Sequence, residues 1–174
     1  MKKLVINSIL ISMALILSYV ERMFPIGLIV PIPGIKLGLA NVVTIFAIFY
    51  LDMKSAIAIT VLRCVIASTL FGSIYSLLFS LSGALFALLV MAILKKGYNR
   101  WFSILGISIG GAAAHNIGQI LIASLIMQST AIFPYLSILL LAAVITGTLT
   151  GLVFSSLMEH IDKINIFKRR IFFL

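Results

Sequence analysis

Long apolar runs, broken by short polar or charged segments, divide the chain into six stretches. They cover residues 4–20, 37–51, 55–71, 75–94, 102–127 and 133–158. A transmembrane helix needs about 20 residues to cross ~30 Å of hydrocarbon, so the second stretch is short and the last two are long enough to tilt. Because none of them alternates apolar and polar residues, helices are favoured over a barrel. The pattern predicts an all-α integral membrane protein, a six-transmembrane-helix bundle forming one domain over residues 1–174.

Basic residues predict how these six helices are oriented. If the N-terminus lies inside, only Arg22 and Lys36 fall on the outer side. The cytoplasmic side then carries ten: Lys2, Lys3, Lys54, Lys95, Lys96, Arg100, Lys163, Lys168, Arg169 and Arg170. This asymmetry follows the positive-inside rule, so both termini are predicted to face the cytoplasm. The first stretch has no small-residue cleavage site before Glu21 and is predicted to remain as a helix.

Composition agrees with a membrane protein and excludes several functions. The chain is 63% hydrophobic with a mean hydropathy of +1.28, whereas soluble domains are about 45–50% apolar. The net charge of +9 lies in clusters between the spans and forms no patch with interleaved aromatics, so no nucleic-acid partner is expected. Cys64 is the only cysteine, which excludes an internal disulfide and predicts a small buried apolar residue.

The first external loop, residues 21–36, differs from the short connections elsewhere because it is long, apolar and braced by Pro25, Pro31 and Pro33. It is expected to fold against the bundle as a lid, as a structural plug, or as an irregular extension of the second helix. The tail, residues 159–174, mixes charges with Ile and Phe and is predicted to lie along the cytoplasmic interface.

Small residues follow one face of the fifth helix, where Gly106, Gly110, Ala114 and Gly118 are spaced by four. Such a line allows another backbone to approach closely, and internal helix packing is its expected role, as for the two glycines of the sixth helix, Gly147 and Gly151.

The first helix carries Ser8 and Ser12, followed by Ala14 and Ser18. These small residues could pack within the bundle or form a docking face for another membrane protein.

Arg63 lies in the middle of the third stretch, where a buried charge costs at least ~2.5–3.5 kcal/mol. All four acidic residues, Glu21, Asp52, Glu159 and Asp162, fall at or beyond the ends of apolar runs. We therefore expect polar neighbours, backbone carbonyls or an anionic ligand, rather than an acidic side chain, to neutralise Arg63.

Other polar residues of the apolar runs are expected to converge on Arg63, since unpaired polar groups are costly in hydrocarbon. His115, Asn116 and Gln119 share one side of the fifth helix, and Asn41 lies near the outer end of the second. Three interpretations remain open: a ligand site, a structural hydrogen-bond network, and a proton or ion relay.

The polar residues of the apolar runs give little support for covalent catalysis or for a metal centre. A metal centre needs several His, Cys or acidic ligands, and the middle of the membrane offers one histidine. No Gly-rich phosphate loop followed by Lys and Ser or Thr is present. The chain is therefore predicted to bind rather than to catalyse, without a metal or other cofactor.

Three segments, PGIKLGLANVVTIFAIF (33–49), LFSLSGALFALLVMAILKK (78–96) and GAAAHNIGQILIA (111–123), closely resemble a bacterial family. The family is called heptaprenyl diphosphate synthase component I or Gx transporter. It is similar in turn to the substrate-binding S components of energy-coupling-factor (ECF) transporters, six-helix proteins with both termini inside. In S components a loop after the first helix covers an external pocket, and small residues on that helix dock onto a shared transmembrane component driven by two ATPases.

The resemblance implies a multi-pass protein of the bacterial cytoplasmic membrane. Its pocket would lie under residues 21–36, and its docking residues would be Ser8 and Ser12, where S components more often carry alanines. An S-type uptake subunit is the favoured function, with an ECF transmembrane component and ATPases as partners. The anionic ligand would be bound by Arg63, Asn41, His115, Asn116, Gln119 and Lys36.

The alternative is a non-catalytic component I of a prenyl diphosphate synthase. A catalytic prenyl synthase holds magnesium with aspartate-rich motifs, and this chain has two distant aspartates, Asp52 and Asp162.

Overall fold

The computed structural model describes residues 2–23, 36 and 38–164. These residues form six α-helices and no strand: α1 (Lys2–Glu21), α2 (Asn41–Tyr50), α3 (Met53–Phe71), α4 (Ile74–Lys95), α5 (Ile104–Met127) and α6 (Pro134–Ile164). The predicted all-α class is confirmed. Five of the helices are long and apolar enough to cross a membrane, which indicates a multi-pass membrane protein. The exception is α2, whose 10 residues span only about half of the hydrocarbon thickness at ~1.5 Å per residue.

Local sequence signals explain where the helices begin and end. Asp52, Ser73 and Ser103 each accept a hydrogen bond from the backbone N–H three residues further on, at 2.7, 3.2 and 3.1 Å. These side chains satisfy backbone donors that have no partner inside the helix. Gln128 ends α5 in the left-handed conformation, with φ at 48°, a common way to stop a helix. Short polar turns therefore fix the boundaries of α3, α4 and α5.

Contacts between helix ends show that helices consecutive along the chain alternate in direction. Lys3 at the start of α1 forms an ion pair with Asp52 at the start of α3. The other ends of these two helices meet as well, where the rings of Tyr19 and Phe71 lie 5.3 Å apart. Helices α1 and α3 are therefore parallel, and α2 returns between them.

Helices α2, α4 and α6 end together at the level where α1 and α3 begin. Lys95 of α4 donates to the carbonyl of Ile48, and Tyr50 of α2 donates to Asp162 of α6 at 3.4 Å. We call this the basic end, because it also brings together Lys3, Lys54, Lys95, Lys96, Arg100 and Lys163. The opposite end is called the distal end.

The short helix α2 is the centre of the bundle and contacts all five other helices. Its residues from Val43 to Ile48 are buried. Near the basic end the Phe46 ring lies 6.5 Å from that of Phe154, and the Phe49 ring lies 5.2 Å from it. An aromatic and aliphatic core therefore surrounds α2 towards the basic end.

The small residues of α5 and α6 serve packing inside the bundle. A Cβ on Gly118 would lie 3.0 Å from the Cα of Gly83 on α4, and a Cβ on Gly147 would lie 2.6 Å from the Cα of Ile109 on α5. Gly106 differs, because its nearest neighbour would be the Ser103 Oγ at 3.7 Å. The backbones of α4, α5 and α6 thus approach closely over most of their length.

Helix α1 is peripheral, and its small residues divide into two groups. Ala14 and Ser18 are buried against the bundle, whereas Ser8 and Ser12 are exposed and donate to their own helix backbone at 3.0 Å. Among the described residues α1 contacts only α2 and α3. Its outer face is left open.

Candidate ligand-binding site

Polar side chains from four helices meet where α2 begins. Asn41, the first residue of α2, and Arg63 of α3 are each 5% exposed. Arg63 Nη2 donates to Asn41 Oδ1 at 3.3 Å. Arg63 lies eight residues before Phe71, the distal end of α3, which at ~1.5 Å per residue is about 12 Å. The pair is therefore well inside the bundle.

Helix α5 adds His115 and Gln119, which are almost completely buried. They are one turn apart and share a face, and Gln119 Nε2 lies 2.8 Å from His115 Nε2. Gly83 of α4 packs directly on them, since a Cβ there would lie 2.8 Å from the His115 carbonyl oxygen and 2.9 Å from Gln119 Cγ. The missing side chain of Gly83 thus permits α4 to close over the pair.

Lys36 joins the same group from the segment that precedes α2. Its backbone N–H donates to Gln119 Oε1 at 3.2 Å, and its Nζ donates to Ser80 Oγ of α4 at 2.8 Å. Lys36 is half-buried. The segment before α2 is therefore attached to both α4 and α5.

Gly38 brings Asn41 and His115 together. Its φ is +85°, a conformation that glycine adopts without strain, and a Cβ there would lie 2.8 Å from Asn41 Nδ2 and 3.2 Å from two ring carbons of His115. The Gly38 N–H donates to the carboxylate of Glu21. One glycine therefore contacts residues of α1, α2 and α5.

Glu21 was missed by the sequence analysis, and the expectation that Arg63 has no acidic neighbour is wrong. Glu21 ends α1 but turns inward, is 3% exposed, and interacts electrostatically with Lys36 and Arg63. On the predicted outer side, Arg22 and Lys36 are the only basic residues, and Glu21 is the only acidic residue. That distribution is the signal that could have identified it. We call Glu21, Lys36, Asn41, Arg63, His115 and Gln119 the polar cluster.

Two cations face one carboxylate in the polar cluster. Glu21 interacts electrostatically with both Lys36 and Arg63. No ion pair joins Glu21 to a cation directly among the described residues. The cluster therefore has an excess of positive charge in a low-dielectric setting, where such an excess favours an anion.

Asn116 does not belong to the polar cluster, although the sequence grouped it with His115. Its Nδ2 donates to the Leu139 carbonyl of α6 at 2.6 Å, and the residue is completely buried. Asn116 therefore holds α5 against α6.

Several buried polar atoms find no hydrogen-bond partner among the described residues, and three of them belong to the polar cluster: Asn41 Nδ2, Arg63 Nε and His115 Nδ1. Unpaired buried groups of this kind are uncommon and require an explanation. The described residues contain no group of three or more His, Cys, Asp or Glu that could hold a metal. The arrangement is thus suited to hydrogen-bonding a polar molecule.

The predicted loop over residues 21–36 lies outside the described residues, apart from 21–23 and 36. The predicted interfacial tail is described only to residue 164, up to which it continues α6.

A model of the family described as heptaprenyl diphosphate synthase component I matches residues 10–157. The chain therefore belongs to this family, as the sequence resemblance predicted. No curated protein and no solved structure matches the chain.

Proposed function

We propose that this family member is the membrane-embedded, substrate-binding subunit of an ECF-like uptake transporter for a small anionic or vitamin-like metabolite. The observation that carries the proposal is the polar cluster. It lies inside an apolar bundle, its charges are positive in excess, and it holds buried hydrogen-bonding atoms without partners among the described residues. Ionisable residues within a membrane bundle usually mark a substrate or ion pathway.

The position of the polar cluster also supports uptake. Helix α2 begins at Asn41, inside the bundle, and irregular backbone at membrane depth is tolerated where it is buried in protein or lines a cavity. Binding sites built at interrupted helices near the middle of the membrane are a recurrent feature of transporters. The cluster lies towards the distal end, which in the proposed orientation faces outwards.

The proposed topology has six spans with both termini in the cytoplasm of a bacterial cell. Reporter fusions after Lys96 and after Leu174 are expected to be cytoplasmic, and one within residues 128–131 external. An odd number of crossings between the first two reporters would refute this topology.

The outer face of α1 is the proposed docking surface for an ECF transmembrane component. Ser8 and Ser12 are exposed there, beside large apolar side chains such as Ile9 and Ile16, and small residues permit close helix approach. Replacing both serines with leucine is expected to abolish co-purification with that component. Leu141 and Leu149 of α6 are also exposed on the outside of the bundle. Replacing both with isoleucine is the matched control, and this variant should keep the complex.

The test of the proposed function is co-expression with candidate ECF ATPases and a transmembrane component, followed by affinity purification. We expect a complex, and we expect mass spectrometry of the purified subunit to reveal a bound small molecule. Transport in liposomes by the subunit alone would instead identify a channel or an ion-coupled carrier.

A second candidate rests on the family name. As a non-catalytic component I, the chain would associate with a soluble prenyl synthase and restore long-chain prenyl diphosphate formation. That result, without ATPase association, would replace the transport proposal.

A further inference from the structure

The turn between α4 and α5, residues 96–103, is compact and is built around one carbonyl group. The Gly97 oxygen accepts hydrogen bonds from three backbone N–H groups, at 3.2, 2.9 and 3.1 Å, which belong to Arg100, Trp101 and Phe102. Tyr98 attaches the turn to the bundle, because its ring packs edge-on against that of Phe49 at a centroid distance of 5.1 Å. The side chains that the turn presents on its outside therefore have a fixed place at the basic end.

Lys96, Arg100 and Trp101 are exposed on the outside of this turn. Trp101 is 74% exposed, and Arg100 Cζ lies 5.6 Å from the centroid of its ring. The ion pairs of the described residues lie at the starts of α1 and α3 and within α6, so neither Lys96 nor Arg100 pairs with an acidic side chain of this part of the chain. Two cations without an acidic partner therefore stand beside an exposed indole.

An exposed apolar stripe on α4 leads to the turn. Leu89 and Ile93 are 55% and 56% exposed, and Lys96, which ends α4, still has helical backbone angles. Because these three residues are spaced by four and three positions, they share one face of the helix. An acyl chain that lies along Leu89 and Ile93 therefore brings its headgroup to Lys96.

We propose that Lys96, Arg100 and Trp101 bind the headgroup of an anionic phospholipid whose acyl chain lies along Leu89 and Ile93. The ammonium and guanidinium groups pair with the headgroup phosphate, and an indole suits the boundary between hydrocarbon and water. A zwitterionic lipid is a poorer partner, because its own cation competes for the same phosphate. The inference rests on the membrane character of the chain and is independent of the proposed uptake function.

Fluorescence of Trp101 tests the proposal directly, because the chain has 1 tryptophan. The full chain is reconstituted in nanodiscs that mix phosphatidylcholine and phosphatidylglycerol, with bromine near the top of the acyl chains of one lipid at a time to quench nearby indoles. At equal mole fractions, brominated phosphatidylglycerol should quench more strongly than brominated phosphatidylcholine, which corresponds to a preference of at least ~3-fold for the anionic lipid. Equal quenching by the two lipids, or no quenching by either, would overturn the proposal.

Lys96→Gln and Arg100→Gln each remove one cation and keep a long polar side chain. Each variant should lower the preference for phosphatidylglycerol, and the double variant should bring it to about 1-fold. Lys54→Gln is the matched control, since Lys54 is exposed at the start of α3, also at the basic end, and it should keep the preference. Equal losses in all three single variants would show a diffuse attraction of the basic end and no site at this turn. A full preference in the double variant would likewise refute the proposal.

Other occupants of this surface give different results. Inorganic phosphate, added at constant ionic strength, should not reverse the quenching by brominated phosphatidylglycerol, because it has no acyl chain to contact Leu89 and Ile93. Reversal by phosphate would replace the lipid with a soluble anion. If the two lipids quench equally and the double variant no longer co-purifies with an ECF transmembrane component, the turn is a protein-docking surface instead. The lipid preference is measured on the chain alone, so it stands or falls separately from the uptake function.

Discussion

Helix α2 separates two regions that are built from different side chains. Towards the basic end α2 is helical, and Phe46, Phe49 and Tyr50 pack on Phe154. On the N-terminal side of Asn41 the chain is no longer helical, and the segment that contains Lys36 and Gly38 contacts the other residues of the polar cluster. The backbone explains the difference: a helix satisfies its own polar groups and needs only apolar neighbours, whereas the segment before it needs side-chain partners such as Glu21 and Gln119.

We expect stability to depend mainly on the aromatic region, and we propose that ligand binding depends mainly on the polar cluster. Helices associate in lipid through close packing and interhelical hydrogen bonds, since lipid tails are as apolar as the side chains. Dense ring contacts therefore hold the basic half together. Variants in the aromatic region and variants in the polar cluster can therefore separate stability from binding.

The largest effect is expected for Phe154→Ala in the aromatic region. Phe154 is completely buried, and truncation of a buried phenylalanine costs about 3–5 kcal/mol. The free energy of unfolding, measured in mixed micelles, should fall by about this amount, while folded protein keeps its co-purified small molecule. Phe133→Ala, at a ring that is 40% exposed, is the control and should cost under ~1 kcal/mol. Similar losses for both would mean that the aromatic region does not dominate stability.

Arg63→Ala probes the polar cluster. The change leaves the oxygen of Asn41 without its donor and removes a cation near Glu21, so we expect a loss of about 1–3 kcal/mol in unfolding free energy. The co-purified molecule, quantified by mass spectrometry, should be lost. Adding Glu21→Gln should restore part of the stability without restoring binding. If Arg63→Ala retains the molecule as wild type does, Arg63 is not part of the binding site.

Gly118→Ala tests whether close backbone packing of α4 on α5 supports the polar cluster. Its Cβ would lie 3.0 Å from backbone atoms of Gly83 and Ser82, and overpacking of this kind costs about 1 kcal/mol or more. Gly106→Ala is the matched control on the same helix, where the nearest atom is 3.7 Å away. It should be neutral, or stabilise by up to ~1 kcal/mol through helix propensity. Equal thermal stabilities of the two variants would contradict close packing at Gly118.

The smallest effect is expected at the surface of the basic end. A hydrogen bond from Lys3, followed by one from the Ser55 backbone, holds the pKa of Asp52 at about 2. Because this pKa is depressed, the stabilisation is complete above the unfolded value of about 3.9 and is lost as the pH falls from there through about 2. Both side chains of the pair are well exposed, so the change should be slight. Asp52→Asn should remove this part of the pH dependence of thermal unfolding; an unchanged profile would exclude the pair as its cause.

The sequence predicted the helices well and the polar cluster only in part. Apolar runs and capping residues such as Ser73 and Ser103 act locally, so their positions can be interpreted from the chain. Arg63, Asn41, His115 and Gln119 could be grouped because buried polar groups need partners. Glu21 was missed, since its place at the end of an apolar run suits an interfacial residue equally well, and its hydrogen-bond partner Gly38 lies 17 positions away.

Asn116 is the opposite case, a residue that the sequence grouped with the polar cluster and that the structure places elsewhere. It follows His115 directly, and helical periodicity leaves both on a broad polar arc. Which neighbour each of them meets depends on the places of α4 and α6 around α5. Only the packed bundle decides that His115 faces the polar cluster and that Asn116 donates to Leu139.

The sequence by itself determined the helical class, the apolar spans and the family. Hydropathy, helix capping and family motifs each depend on residues that are close together along the chain. The tertiary structure decided that α2 begins only at Asn41, that Glu21 and Lys36 lie in the polar cluster with Arg63, and that Gly38 contacts both Asn41 and His115. These features depend on side chains from separate helices meeting at one depth. Because these side chains are buried, their pairing matters for stability: a polar group without a partner costs far more free energy inside the bundle than at its surface.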